Sequence, residues 1–410
     1  MRHRVATSSK KGTPMNNQAK LVPSIWRVVA IAALFVCLLL GALYVSKPAQ
    51  TPAPADDATS EQAAATDKSG KPSLIDGDDP LSLWTEGAAS KKALIDYVEA
   101  VTDESSPDFI PAEDRIATFD VDGTLINETD PNYFDYTLLV HRVLEDPDYK
   151  DKASDFEKTV ANKIVDQNEN GTKYEELPVE HGQAVASAFK GMTVDEFYDY
   201  VHEFAQSDMP SYEGMKRGEA FYQPMVQVVQ YLQANGFDCY MMSGTDRLIM
   251  RGLFSSELCP LNIPLDHILG SDESLVGDKQ GDEDGLDYTF GQDEKLVLGG
   301  DFYMKTLKEN KCYIIQREVA KQPVLSFGNS SGDFAMDNYA LTNPNYKSAA
   351  FQLCCDDVER ENGKPEKAEE MRAQCEENGY VPVSMKDDWS TIYGDDVVYV
   401  GAEEELAQAA

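Results

Sequence analysis

Arg115–Glu128 reads RIATFDVDGTLINE. Ile116 to Phe119 form an apolar run of strand length, and turn residues begin directly after it with Asp-Val-Asp-Gly-Thr. Two carboxylates, Asp120 and Asp122, therefore leave the end of a buried strand, and Gly123 frees the backbone to turn there. In open α/β sheets, ligands sit outside the carboxyl ends of the strands. Two like charges this close are costly unless a cation or a catalytic task compensates them. Oxygen donors of this kind suit Mg²⁺, which binds through one or two carboxylates and substrate phosphate. By itself the Asp-x-Asp-Gly pattern fits either such a site or a surface turn.

DVDGT after an apolar strand resembles the nucleophile motif of the haloacid dehalogenase superfamily, in its phosphatase branch. The resemblance implies that Asp120 attacks phosphorus to form an aspartyl-phosphate, and that Asp122 protonates the leaving group and then activates water. A carboxylate nucleophile splits phosphoryl transfer into two steps, and a second carboxyl handles the protons.

Two further strand ends follow in order. Phe237–Met242 (FDCYMM) reads as a strand ending in Ser243-Gly244-Thr245, after a helix with Pro224 in its first turn and Asn235-Gly236 at its stop. Val324–Phe327 (VLSF) reads as another strand, followed by GNSSGDFAMD. The resemblance makes Ser243 a donor to the phosphoryl group and Asp333 a metal ligand, with Asn329 standing where the family usually has its first acid. It also requires a lysine before the third strand. Lys311 has that position, with Lys305, Lys308 and Lys321 as competitors. Gly123, Thr124, Gly244 and Asn329 would line the phosphate, and Asp120, Asp122 and Asp333 would hold Mg²⁺. Asp337 is expected to be an exposed acid at a helix start. The branch implied is phosphoserine-phosphatase-like.

About a hundred residues separate the first two motifs, too many for a simple crossover. Helical patterns occur at Tyr136–Leu144, Phe156–Asp166 and Val194–Ala205, the last opened by a Thr193/Glu196 capping box. The resemblance makes residues 127–221 a helical cap that selects substrates. Tyr133, Phe134, Phe197, Tyr198 and Tyr222 fit either a cap lining or, at helical spacing, its core. Glu128 is a candidate for meeting a substrate amine. Leu275–Gly300, rich in Asp and Gly, reads as an exposed hairpin or flap, and Lys364–Gly379 as a solvated surface helix.

The chain has 36 Lys and Arg against 72 Asp and Glu, a formal charge of −36. Residues 1–45 hold six of the basic residues and no acid, so the remainder is more acidic still. Such a body argues against nucleic acid as a partner, since that binding needs Lys and Arg on phosphates. Hydrophobic content of 42% suffices for a packed core.

Val28–Val45 is apolar on every face, and as a helix it would span about 27 Å, close to the ~30 Å hydrocarbon core. Its basic flank should stay in the cytoplasm. The expectation is a single-pass membrane anchor (28–45) after a basic cytoplasmic segment (1–27), with the body extracytoplasmic. Ala49, Ala53 and Ala55 keep a cleaved signal, and hence secretion, as the alternative. Residues 46–80 read as a tether, 81–126 and 222–401 as the catalytic core, and 402–410 as a tail. Besides Cys37, six cysteines (Cys239, Cys259, Cys312, Cys354, Cys355, Cys375) allow fifteen disulfide pairings, among which the sequence does not choose. Asn127, Asn170 and Asn329 match glycosylation acceptors.

The expected molecule is an α/β protein, with a Rossmann-like parallel sheet, helices on both faces, an inserted cap and one N-terminal transmembrane helix. Its expected activity is Mg²⁺-dependent hydrolysis of a small phosphomonoester. The alternatives are a catalytically weak cell-surface binding protein of the same fold, and a phosphotransferase that passes the phosphoryl group to an alcohol. The identity of the substrate and the oligomeric state are not legible in the sequence.

Overall fold

A computed structural model describes residues 71–401 except 76 and 78. The basic segment, the apolar run at 28–45, most of the tether and the tail at 402–410 lie outside the described residues. Among the described residues no helix is long and apolar enough to cross a membrane. Residues 71–75, which composition assigns to the tether, are bound to the body. The Lys71 ammonium donates to the carbonyls of Ser256 and Cys259, and Gln227 and Gln230 clamp the backbone of Pro72 and Leu74.

Helix α1 (Ala89–Thr102) buries Leu94, Tyr97, Val98 and Val101, the stripe that a 3.6-residue period dictates. Strand β1 (Ile116–Phe119) is buried at every position, as its unbroken apolar run requires. The cap then contributes α2 (Phe134–Val140), α3 (Asp155–Asn170), α4 (Leu177–Ala188), α5 (Val194–Ala205) and the short strand β2 (Tyr212–Glu213). Capping boxes at Ser154/Glu157 and Thr193/Glu196 fix where α3 and α5 begin. Helix α4 was not anticipated from the sequence; its mean pattern is small and apolar rather than strongly two-faced, with Ala184, Val185, Ala186 and Ala188 buried.

After the cap, α6 (Gln223–Ala234) leads into β3 (Asp238–Asp246), α7 (Arg247–Ser255), β4 (Ile268–Gly277) and β5 (Leu296–Met304). The remainder is α8 (Glu309–Ile314), β6 (Leu325–Gly328), α9 (Phe334–Leu341), β7 (Ala349–Cys354), α10 (Pro365–Asn378), β8 (Val381–Ser384) and β9 (Val398–Tyr399). Seven strands form one sheet in the order β5-β4-β3-β1-β6-β7-β8, and β2 pairs with β9. Only β5 runs antiparallel in the large sheet, and the β4–β5 hairpin carries the acidic flap.

From β1 the chain steps outward through β3 to β4, and in the opposite direction through β6 and β7 to β8. With right-handed crossovers, that reversal puts helices on both faces and makes the end of β1 a switch point. Side chains confirm two faces: Met241 and Ile268 join the main core, whereas their neighbours Met242 and Leu269 pack with Ile314, Ile315 and Met336. Phe119, Phe327 and Phe351 stack across three adjacent strands, with centroids 4.6 and 5.1 Å apart, and close the apolar layer beneath the strand ends.

Among the described residues the six cysteines are free thiols. Asn127 is buried, donating to Tyr212, Glu361 and Tyr393, so it is no glycosylation acceptor in the folded chain. Asn170, at the end of α3, is exposed.

Candidate active site

Strand register sets the floor of the site. Phe119 lies opposite Met241 on one side and Phe327 on the other, so Asp120, Ser243 and the loop after Gly328 emerge at one level. The Asp120 amide donates to the Phe327 carbonyl at 2.9 Å, holding the nucleophile candidate at the strand end. Pairing of β3 with β4 shifts register between Met242 and Asp246, which lifts Ser243-Gly244-Thr245 out of the regular ladder.

Lys311 is buried and bridges two carboxylates, with Nζ 2.5 Å from Asp120 Oδ1 and 2.6 Å from Asp333 Oδ1. Burial alone would lower its pKa, but those two acids hold the ammonium charged. Burial and Asp333 push the Asp120 carboxyl up, and Lys311 pulls it back. The other oxygen of Asp333 accepts from the amides of Asn329 and Ser330 and from the Ser330 hydroxyl. Thr124 donates to Asp120 Oδ2 at 3.3 Å.

Asp122 faces the other way. Its Oδ2 accepts from Ser243 and Thr245, each at 3.1 Å, while its buried Oδ1 has no hydrogen-bond partner. Burial, then the neighbouring Asp135 carboxylate, raises its pKa to about 6. That suits a group which must be protonated before it can act as an acid near neutrality.

Gly123 has φ +81°, and a Cβ there would lie 2.0 Å from the Asn329 amide nitrogen. The close approach lets Asn329 reach the Glu128 carboxylate, which also accepts from the Tyr133 hydroxyl at 3.3 Å. Asn at 329, where the family's first acid is expected, therefore satisfies a carboxylate that a second acid would repel.

The predicted residues Asp120, Asp122, Gly244, Lys311, Asn329 and Asp333 line one cavity of about 150 Å³. Ser243 and Thr124 stand behind it, bonded to its carboxylates. Of the competing lysines, Lys305 lines the same cavity, whereas Lys321 is tied at the surface to the Glu113 carbonyl and the Asp114 carboxylate. Lys308 turns the chain at the start of α8 with φ 53°. Of the candidate aromatic lining, Tyr133 reaches the cavity, while Phe134, Phe197 and Tyr222 are core.

Asp337 corrects an expectation. It begins α9 as predicted but is fully buried, accepting from Ser326 and Gln352 beneath the sheet end. Its pKa rises to about 7, chiefly through burial. The sequence hid this: α9 buries Met336, Asp337 and Ala340 and leaves its other positions partly or fully exposed, and nothing in the pattern places an acid on the buried side.

Among the described residues, no three His, Cys, Asp or Glu side chains form a preformed metal cage. The lysine ammonium stands between two of the three expected ligands. Sequence reasoning also missed Asp135, Tyr136 and Thr245 as cavity residues, and had Lys305 only as a competitor of Lys311. Thr245 was visible as the third residue of Ser-Gly-Thr; the others carry no local signature. A much larger groove, about 1210 Å³, runs along the cap past Arg142, Tyr149, Tyr200 and Arg217, but it contains none of these groups.

No family model matches the chain, and no curated protein matches it. Similar solved structures include a conserved protein of unknown function from Anaerococcus prevotii, 15% identical over 72% of this chain and 91% of that one, with TM-score 0.43. Cytosolic 5′-nucleotidase IIIB bound to cytidine is 10% identical over 73% of this chain and 86% of that one, with TM-score 0.40. A phosphoserine phosphohydrolase-like protein from Francisella tularensis is 13% identical over 72% and 99%, with TM-score 0.34. All three scores are low, and the functional reading rests on this chain's own residues.

Proposed function

We propose that the chain hydrolyses phosphomonoesters of small metabolites through an aspartyl-phosphate on Asp120. The observation that carries this reading is the Lys311 ammonium, buried between Asp120 and Asp333 at the mouth of a parallel sheet's switch point. A fixed cation beside a carboxylate nucleophile is what charge in flight between oxygens requires.

Asp120 Oδ attacks phosphorus and the ester oxygen leaves, taking a proton from the Asp122 carboxyl. In the second step Asp122, now a carboxylate, takes a proton from water as that water attacks the aspartyl-phosphate, releasing phosphate and restoring Asp120. Ser243 and Thr245 hold Asp122 in place by their hydroxyls. Lys311 neutralises the phosphoryl oxygens on the opposite side.

The donor set fits a hard divalent ion. Every candidate ligand is an oxygen, and Asp122 keeps a buried Oδ1 without a hydrogen-bond partner. Asp120, Asp122 and Asp333 would hold Mg²⁺, with Asn329 assisting. Bound there, the ion would offset negative charge on the phosphoryl group.

The test is turnover of an aryl phosphate by the purified chain, with Mg²⁺ and after chelation. Release of phosphate that requires Mg²⁺ supports the reading; full activity in Asp120→Asn would sink it. The sequence further supports an anchored, extracytoplasmic body, and protease added to intact cells should digest it if that orientation is right.

A further inference from the structure

Strand β7 presents two faces. Phe351 and Leu353 join the main core, whereas Ala350, Gln352 and Cys354 alternate onto the side covered by α9 and α10. There Ala350 packs with Cys375 and Tyr380, and Gln352 donates to Asp337 of α9. At the end of the strand Cys354 meets Cys375 of α10, whose thiol donates to the Cys354 sulfur. Arg372, about one turn earlier on α10, reaches the Asp356 carboxylate just past the strand. An apolar contact and an ion pair thus set the helix at the height where the two thiols meet. Both are enclosed, with Cys354 1% and Cys375 0% exposed.

Cys375 also bears on how α10 is held. It and Ala368 are the only buried residues of this 14-residue helix. A helix with so little apolar anchorage belongs to the low end of local stability and opens before the sheet does. The thiols differ in chemistry too. The hydrogen bond from Cys375, then the Arg372 guanidinium, draws Cys354 toward its thiolate against the effect of burial. Burial pushes Cys239, Cys259, Cys312 and Cys355 the other way. Cys259 and Cys312 donate to the carbonyls of Leu261 and Ala335, and Cys355 packs against the main core instead.

We infer that Cys354 and Cys375 form a disulfide that staples α10 to β7. The oxidant is a disulfide, either of the glutathione class or carried by an exchange protein. The Cys354 thiol gives up its proton, attacks one sulfur of that disulfide and displaces the other as a thiolate. Cys375 then loses its proton and attacks the Cys354 sulfur of the mixed disulfide, displacing the second thiolate. The protein gives up two protons and two electrons, and the external disulfide becomes two thiols. Opening of α10 admits the oxidant, and closure of the bond ends that opening. The inference is independent of the phosphatase reading, and the bond would persist in an oxidising compartment.

Thiol counting by mass tests it. The purified full chain is held with oxidised glutathione, with and without sub-denaturing urea, then unfolded in iodoacetamide and digested. Two of the seven cysteines should escape alkylation, in one linked pair of peptides carrying Cys354 and Cys375. Cys375→Ser should stop with glutathione on Cys354, and Cys354→Ser should give no link. Because the bond closes a loop of about twenty residues, oxidation should raise the urea midpoint by about 1 M. That gain should vanish in Cys354→Ser and persist in Cys355→Ser. Alkylation of all seven thiols under both conditions would overturn the inference, as would linked peptides joining a different pair. A link that forms without moving the midpoint would refute the staple.

Discussion

The floor and the cap wall of the cavity use the same kinds of group and differ in whether their acids are bridged by a fixed cation. On the floor, Lys311, Asp120, Asp333 and the amides of Asn329 and Ser330 form a closed set of charge-assisted bonds. On the wall, Asp135 is buried as deeply but has no Lys or Arg ion pair, and burial pushes its pKa up. A satisfied network is rigid and holds reacting atoms in place. A buried carboxylate without such a bridge is costly in its charged form and is held toward the neutral one. The far larger cap groove, by contrast, is lined by arginines already paired with Asp146 and Asp130, and its size says nothing of chemistry.

The contrast can be broken most forcefully on the floor. Asp120→Asn should lower kcat by about 10⁴-fold or more, since removal of a nucleophile leaves only binding and electrostatics. Retention of substantial turnover would show that the closed set is structural. Lys311→Met should leave two buried acids facing each other and cost about 3–5 kcal/mol of stability, read from urea midpoints. A midpoint unchanged from that of the unaltered chain would mean the bridge is weak.

Asp122 lies between floor and wall, and its effect is smaller. Burial pushes its carboxyl up to about 6 and bound Mg²⁺ would draw it lower, so above pH 6 the protonated acid should fall off about tenfold per pH unit. Hydrolysis of alkyl phosphates should decline on that limb, whereas nitrophenyl phosphate, whose leaving group needs little protonation, should decline less. Identical profiles for the two esters would remove Asp122 from the acid role.

The smallest effect concerns stability beneath the floor. The Asp337 carboxyl is protonated in the fold up to about pH 7 but ionises near 3.8 when unfolded. The folded state therefore binds the extra proton, and stability declines as pH rises through that window. Between pH 5 and 7 the decline is about 2 kcal/mol. Asp337→Asn should flatten it, because Gln352 can flip to offer its otherwise unpartnered Oε1 to the new amide. A slope unchanged in the variant would assign the pH dependence elsewhere.

The sequence made the floor legible because each of its residues follows an apolar strand or opens a helix, in an order that spacing alone displays. The wall was not legible. Asp135 and Tyr136 lie on a helix like any other, and only the fold of that helix back toward β1 brings them to the cavity of Asp122. Asp337 was misread for a related reason, since helix position does not reveal that Ser326 and Gln352 close over it. The bound stretch at residues 71–75 escaped notice because much of its attachment joins backbone atoms of Pro72 and Leu74 to distant glutamines, which composition does not report.

One detail of the cap has an evolutionary and engineering consequence. The chain leaves and rejoins the core side by side: Ile126 bridges Phe221, the Asn127 amide donates to Ala220, and the Tyr222 amide donates to Leu125. Residues 128–219 thus hang from a two-stranded stem that is zipped at its base. Whatever is spliced onto such a stem inherits a fixed starting point. The cap is in that sense a cassette, and swapping it at Asn127 and Ala220 offers a route to new selectivity that leaves the strand-end acids where they are.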